Sequence, residues 1–171
     1  MTETATSAIA QAAAIAQAAA DADAALARLQ DAVGRIGDGD LARSHGGGGW
    51  SVAQVISHIN VSNLVWVANL QRLVVDPGLD FFFREEVGHD ALGYPPPTTE
   101  VAGRQLAATR TTLATTVPSA SPATLSRTVT IPDLGTMTVA EWTPLIIGHV
   151  VGHVEQAFEI MRDREFAPEG V

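Results

Sequence analysis

The sequence contains no cysteine, and this excludes both disulfide bridges and metal sites built from thiolate sulfur. Any metal would have to be held by imidazole, carboxylate, backbone oxygen or water. A chain without cysteine is typical of a reducing compartment, so we expect a cytoplasmic protein. If the protein uses a thiol in catalysis, that thiol must arrive on a second substrate.

Basic residues are few, and none of them is lysine. Ten arginines stand against nineteen aspartates and glutamates, and the net charge is −9. Because binding to nucleic acid requires cations that displace counterions from phosphate, this balance argues against a nucleic-acid partner. The apolar run at 8–20 is mostly alanine and follows an acidic start, so we expect neither a secretory signal nor membrane attachment.

Helical periodicity dominates the rest of the chain. Leu26, Leu29, Val33 and Ile36 are spaced by three and four residues, which predicts one buried face of a helix. The same reasoning predicts helices over about 7–36, 51–75, 99–117 and 139–164. The length suits a single domain over 1–171, with about the first 6–12 residues frayed.

Two helix starts have recognisable caps. Ser51 and Gln54 fit a capping box, and Trp50 and Val55 occupy the two positions of a hydrophobic staple, which places Trp50 in the core. For the fourth helix two starts stay open. Thr138 and Glu141 could form a capping box, which leaves Pro144 inside the helix, or Thr143 could cap a helix that begins at Pro144.

The connections complete the predicted architecture. A long segment at 79–97 carries three consecutive phenylalanines at 81–83 and a tyrosine followed by three prolines at 94–97. A threonine- and valine-rich stretch at 124–138 predicts a short extended or hairpin segment. We therefore predict an all-α, antiparallel four-helix bundle with a long crossing loop between the second and third helices.

Three histidines on predicted helices stand out as possible metal ligands. His149 and His153 lie one turn apart on the same face of the fourth helix, so both imidazoles can point at one ion. Gly148 and Gly152 precede them, which predicts close approach of another helix. His58, near the middle of the second helix, is the natural third ligand, although a single histidine on an apolar face is usually a core residue.

The remaining polar candidates carry weaker signals. His45 and His89 lie in predicted loops, where solvation is the default. Glu155 points away from the histidine face and reads as a surface residue or as a partner behind the ligands. Gln156 lies one turn past the histidine pair and can orient an imidazole by hydrogen bonding. No serine-nucleophile motif, phosphate-binding glycine loop or general base beside the histidines is evident.

The order of these motifs resembles the DinB-like superfamily of four-helix metal proteins. The matching pieces are Gly49-Trp50-Ser51-Val52 before His58, and Leu134-Gly135-Thr136-Met137-Thr138-Val139 before His149-Val150-Val151-Gly152-His153-Val154-Glu155-Gln156. The resemblance spans about 25–162. It implies one metal ligand on the second helix and a histidine pair followed by glutamine on the fourth. The ligand set implied is therefore His58, His149 and His153, with Gln156 behind them.

That group includes thiol-dependent enzymes similar to mycothiol-dependent maleylpyruvate isomerase. The resemblance implies a divalent metal ion, for which zinc and nickel are the first candidates and iron and manganese the next. It also implies the activity of a thiol S-transferase or a thiol-assisted isomerase. All ten basic residues are arginine and alanine is abundant, which suggests high-GC coding. If this coding reflects an actinobacterial type of host, mycothiol is the natural thiol. Two alternatives stay open, a non-enzymatic dimeric bundle that binds a metal or small ligand and a metal-dependent hydrolase. We expect a small-molecule substrate and a homodimer.

Overall fold

The computed structural model describes residues 3–44, 49–76, 98–119, 121–131 and 135–165. Four long helices make up most of that part, namely α1 (Glu3–Val33), α3 (Val52–Val75), α4 (Thr99–Ser119) and α6 (Val139–Glu165). Between them lie two short helices, α2 (Asp38–Ala42) and α5 (Pro122–Leu125), and two strands, β1 (Thr128–Ile131) and β2 (Gly135–Thr138). The predicted four-helix bundle is confirmed.

The apolar faces of the long helices meet in one core. Each long helix packs against two others, in the order α1, α4, α3, α6 around the bundle. Leu26, Leu29 and Val33 are fully buried in this core, as their spacing predicts, whereas Ile36 lies beyond the end of α1 and is half-buried. No helix in the described part of the chain is long and apolar enough to cross a membrane.

Interhelical contacts fix the directions of the helices. Asp38, just past α1, accepts hydrogen bonds from the backbone N–H and hydroxyl of Thr99 at the start of α4, each 2.8 Å long. Further along both helices, Arg110 binds Asp23 at 2.7 Å, so α1 and α4 are antiparallel. The α3–α6 pair is antiparallel too. Residues near the start of α3 contact later positions of α6, whereas residues further along α3 contact earlier positions of α6.

In contrast, α3 and α4 begin at the same end of the bundle. The short helix α2 packs against α3, and its Asp38 binds the first residue of α4. A helix of 24 residues is about 36 Å long, so Asp76 and Thr98 lie far apart, at opposite ends of α3 and α4. The predicted crossing between the second and third helices agrees with this arrangement. Residues 79–97 themselves lie outside the described part.

Both predicted capping boxes are present. Ser51 accepts a hydrogen bond from the backbone N–H of Gln54, and the Gln54 side chain accepts one from the backbone N–H of Ser51. Thr138 and Glu141 form the same reciprocal pair at the start of α6. The alternative start at Pro144 is wrong, because the helix begins at Val139 and the proline lies inside it.

The predicted hairpin precedes α6 directly. Strands β1 and β2 pair antiparallel, with Thr128 opposite Thr138 and Ile131 opposite Gly135. Gly135 has a φ of 82°, a backbone conformation that favours glycine. The backbone N–H of Val139 donates to the carbonyl of Arg127 at 2.8 Å, so the first residue of α6 is tied to the hairpin. This connection sets where the histidine-bearing helix begins.

Candidate metal centre

The three histidines lie at the edge of the buried faces of two neighbouring helices. On α3, Val55 and Ile59 are fully buried and His58 between them is half-buried. On α6, the fully buried residue Val150 directly follows the exposed His149, and His153 is half-buried. Because the packing of the neighbouring residues fixes each helix, the imidazoles face one another across the seam between α3 and α6.

The ligand atoms of His58, His149 and His153 all lie within 4.8 Å of one another. The Nε2 atoms of His58 and His149 are 3.0 Å apart. The ring centroid of His153 is 4.4 Å from those of both other histidines. The structure thus brings together the three residues that the sequence singled out, from positions far apart in the chain.

The donor set and its spacing fit a divalent transition metal. Imidazole nitrogens bind zinc at about 2.0–2.1 Å, so two ligands of one ion lie about 3 Å apart at right angles and slightly further at a tetrahedral angle. The 3.0 Å between the Nε2 atoms of His58 and His149 matches this requirement. Imidazole also suits nickel and iron, so the donor type agrees with the metals expected from the sequence.

Gln156 determines which nitrogen of His153 is available. Its side-chain oxygen lies 2.7 Å from Nδ1 of His153. An amide oxygen is a hydrogen-bond acceptor, so Nδ1 carries the proton and Nε2 keeps its lone pair. A residue that accepts a hydrogen bond from the second ring nitrogen of a histidine ligand fixes the tautomer and the orientation of the ring in this way. The contact expected for Gln156 from its spacing is present, and its role in orienting a metal ligand stays a prediction.

Two further residues touch the histidines, and spacing alone did not assign them a role there. The hydroxyl of Ser62, one turn along α3, lies 3.4 Å from Nε2 of His58. The indole of Trp50 contacts the rings of His58 and His153. Trp50 also packs against the core, as the staple predicts, and its contact with His153 depends on α3 and α6 lying side by side.

Although His149 is exposed as a residue, partial desolvation of its ring and a neighbouring charge favour its neutral form. Loss of solvent around its ring lowers the pKa of His149 below the ordinary value of 6.5, and a charge on His153 lowers it further. A neutral imidazole is the form that binds metal. The electrostatic environment of the metal-free cluster therefore favours the state that a ligand requires.

The surroundings of the cluster correct one expectation and resolve another. Gly148 and Gly152 were expected to admit a close neighbouring helix, but a Cβ atom added at either would meet nothing within 4 Å. Both are exposed, because they lie on the outer face of α6. Glu155 is a surface residue that pairs with Arg28 of α1 at 3.2 Å. His45 and His89 lie outside the described residues.

Comparison with known proteins agrees with the fold. A model of the DinB superfamily matches residues 21–157. No curated protein matches the chain significantly. Among solved structures, a similar one is YfiT from Bacillus subtilis, described as a probable metal-dependent hydrolase with an unusual four-helix bundle topology. It is 16% identical, with a TM-score of 0.71 over 90% of this chain and 89% of that one.

Proposed function

The chain belongs to the DinB superfamily, and on this basis we propose that it is a metal-dependent enzyme whose ion is held by His58, His149 and His153. The observation that carries the proposal is the convergence of three imidazoles from two helices within 4.8 Å. Three protein ligands leave coordination positions for a substrate, which is typical of catalytic and not of structural zinc sites.

The residues around the ligands have separate tasks. Gln156 holds the proton of His153 on Nδ1, so that Nε2 is available to the ion. The Ser62 hydroxyl, 3.4 Å from His58, can hydrogen-bond to a group bound beside that ring. His149 is the most exposed of the three, so a substrate would approach from its side. Zinc or nickel suits this donor set, with iron or manganese as alternatives.

The reaction we propose is transfer or isomerisation assisted by a low-molecular-weight thiol such as mycothiol. A bound divalent ion supplies Lewis acidity, which can deprotonate a thiol or acidify water. The thiol must come from outside, because the chain has no cysteine. The carboxylate nearest to the histidine pair along α6 is Glu155, and it pairs with Arg28 at 3.2 Å instead of with a histidine, which counts against its use as a general base for hydrolysis.

Hydrolysis is the second candidate. It is favoured by the similarity of the fold to YfiT, which is described as a probable metal-dependent hydrolase. The two candidates differ in one simple requirement, since a thiol-dependent reaction needs a thiol cosubstrate and a hydrolysis needs none. The same protein preparation can therefore be offered electrophilic acceptors with and without a thiol, and ester or amide substrates alone.

The deciding experiment measures metal content by elemental mass spectrometry in protein purified without a histidine tag or chelator. We expect about one equivalent of divalent metal in the parent and its loss in a His149→Ala/His153→Ala variant. Glu155→Gln, a surface change on the same helix, is the matched control and should retain the metal. A parent that stays metal-free after reconstitution would overturn the proposal. Tight binding without turnover would instead favour the non-enzymatic bundle.

We also propose that the protein is a homodimer in the cytoplasm. In support of the dimer, the bundle exposes 55% of Leu64 and 52% of Leu145, large apolar side chains on α3 and α6. Sedimentation at several concentrations tests it, and a monomer throughout would contradict it.

A further inference from the structure

Trp50 contacts two of the three histidines although it belongs to neither helix that carries them. Its ring centroid lies 5.0 Å from that of His58, with the planes tilted by 59°. The distance to the centroid of His153 is 6.0 Å, and there the planes are nearly parallel, at 16°. One indole therefore contacts a ligand candidate of α3 and one of α6 at the same time.

The backbone next to Trp50 is firmly held. Ser51 is buried, and its N–H donates to the side chain of Gln54 at 2.6 Å while its hydroxyl accepts from the Gln54 backbone at 3.2 Å. Ser51 also forms a bridge with Ser44, in the segment that precedes α3. Because these contacts fix the entry of the chain into α3, the indole is presented to the histidines by a rigid support.

We propose that Trp50 is a positioning residue of the metal centre, which holds the rings of His58 and His153 in the orientation where their nitrogens converge. The need for such a residue follows from the torsion of the imidazole ring, which is broad and therefore poorly fixed by the side chain's own rotamer preferences. Packing against the indole restricts both rings before an ion arrives. The electron-rich indole face also favours the positive charge that an ion brings to the rings.

The effect on metal affinity rests on the proposed function, whereas the effect on the rings does not. In the metal-free protein, imidazole signals from ¹H–¹⁵N spectra report the tautomer and mobility of each ring. We expect one ordered Nδ1–H signal for His153 in the parent, since that proton is bonded to Gln156. In Trp50→Leu, which keeps the apolar bulk but removes the flat ring, this signal should broaden or divide. An unchanged signal would overturn the proposal.

The second measurement is the affinity for zinc, by competition with a chromophoric chelator. Substitution of a residue that orients a metal ligand typically lowers metal affinity by about 10–100-fold, and we expect the loss in Trp50→Leu to fall within this range. Trp50→Phe, which retains an aromatic face, should recover most of the loss. Equal affinities of the parent and Trp50→Leu would contradict the proposal.

Trp142→Phe is the control for a merely structural effect. Trp142 is buried against Trp66, with ring centroids 6.1 Å apart, and does not belong to the histidine cluster. Its substitution should lower the melting temperature without changing zinc affinity. A loss of affinity in Trp142→Phe as large as in Trp50→Leu would show that general destabilisation explains both. If the parent binds neither zinc nor any other divalent metal, the proposed function fails, while the imidazole spectra still decide the role of Trp50.

Discussion

The Nε2 atoms of His58 and His149 lie 3.0 Å apart, closer than two bare nitrogen lone pairs can comfortably approach. In the metal-free protein this contact requires a proton on one of the two nitrogens, which then donates to the other. An ion between the rings would replace that proton as the shared partner of both. The fold thus holds the two nitrogens so close together that either a proton or a metal ion must be shared between them.

Substitution of Gln156 tests its control of His153. Gln156→Leu removes the acceptor from Nδ1 of His153, so we expect zinc affinity to fall about tenfold or more. Gln156→Glu retains an acceptor at the same place and should bind zinc more tightly than the leucine variant. Chelator competition measures both. Glu155→Gln is the neighbouring control on the surface, and equal affinity in Gln156→Leu and the parent would contradict this role.

The pKa of His149 can be measured in the metal-free protein by NMR titration. We expect a value below 6.5, because loss of solvent and then the charge of His153 disfavour its protonated form. The folded chain then binds this proton less readily than the unfolded chain. His149 therefore contributes stability above about pH 6.5 that is lost as the pH falls through its folded pKa.

A His153→Ala variant separates the two causes of this shift. It removes the charge but leaves most of the burial, so the pKa of His149 should rise part of the way toward its ordinary value. A pKa of His149 at or above 6.5 in the parent would contradict the explanation.

Asp38 is expected to make the free energy of unfolding depend on pH in the acidic range. The backbone N–H and hydroxyl of Thr99 hold the pKa of the Asp38 carboxyl below its usual range. Its contribution is therefore present above about pH 4 and is lost as the pH falls through the lower folded value. In Asp38→Asn, the free energy of unfolding should vary less with pH in this acidic window. Denaturant unfolding at several pH values measures the slope.

The control for Asp38 is Asp21→Asn, which removes a carboxylate that contacts Gln17 one turn away within α1. That contact joins no two helices, so we expect Asp21→Asn to lower the free energy of unfolding at neutral pH less than Asp38→Asn does. Identical slopes for the parent and Asp38→Asn would contradict the role of Asp38 as a cap on α4.

Replacement of Asn63 should stabilise the bundle. Its side chain is only 1% exposed, and its Oδ1 has no hydrogen-bond partner among the described residues. A buried polar atom without a partner costs about 1–3 kcal/mol, so Asn63→Leu should raise the free energy of unfolding by an amount in this range, less any strain from the new shape. Chemical denaturation measures the difference.

Asn69 provides the matched control on the same helix. It is equally buried, but its Nδ2 donates to the carbonyl of Val65 at 2.9 Å. Asn69→Leu should therefore destabilise the protein or leave it unchanged. If both substitutions destabilise to the same extent, the missing partner of Asn63 is not the reason for any change.

The features that sequence reasoning predicts well are those formed within one or two helical turns. The capping boxes at Ser51 and Thr138 and the contact of Gln156 with His153 each join residues three positions apart, so the local geometry of a helix determines them. The pairing of His149 with His153 follows from the same periodicity. No local rule connects the pair with His58, 91 positions before His149, so that link was suggested by the place of His58 on the second helix and supported by the resemblance.

What the sequence did not disclose depends on how the helices are placed. The common starting end of α3 and α4 rests on a bond between Asp38 and Thr99, 61 positions apart. The contact of Trp50 with His153 likewise requires α3 and α6 to be neighbours. The expected close packing at Gly148 failed for the same reason, because glycine permits a close approach but does not indicate which face of a helix has a neighbour.

The distribution of the histidines over α3 and α6 has a consequence for folding. An ion bound by all three would cross-link positions 91 residues apart. In the unfolded chain these positions are not held together, so the intervening segment does not form a closed loop. Because such a ligand set exists only when both helices are docked, binding free energy would add to folding free energy. The folded fraction would then rise with the concentration of free metal, so the supply of the ion would set how much of the protein stays folded.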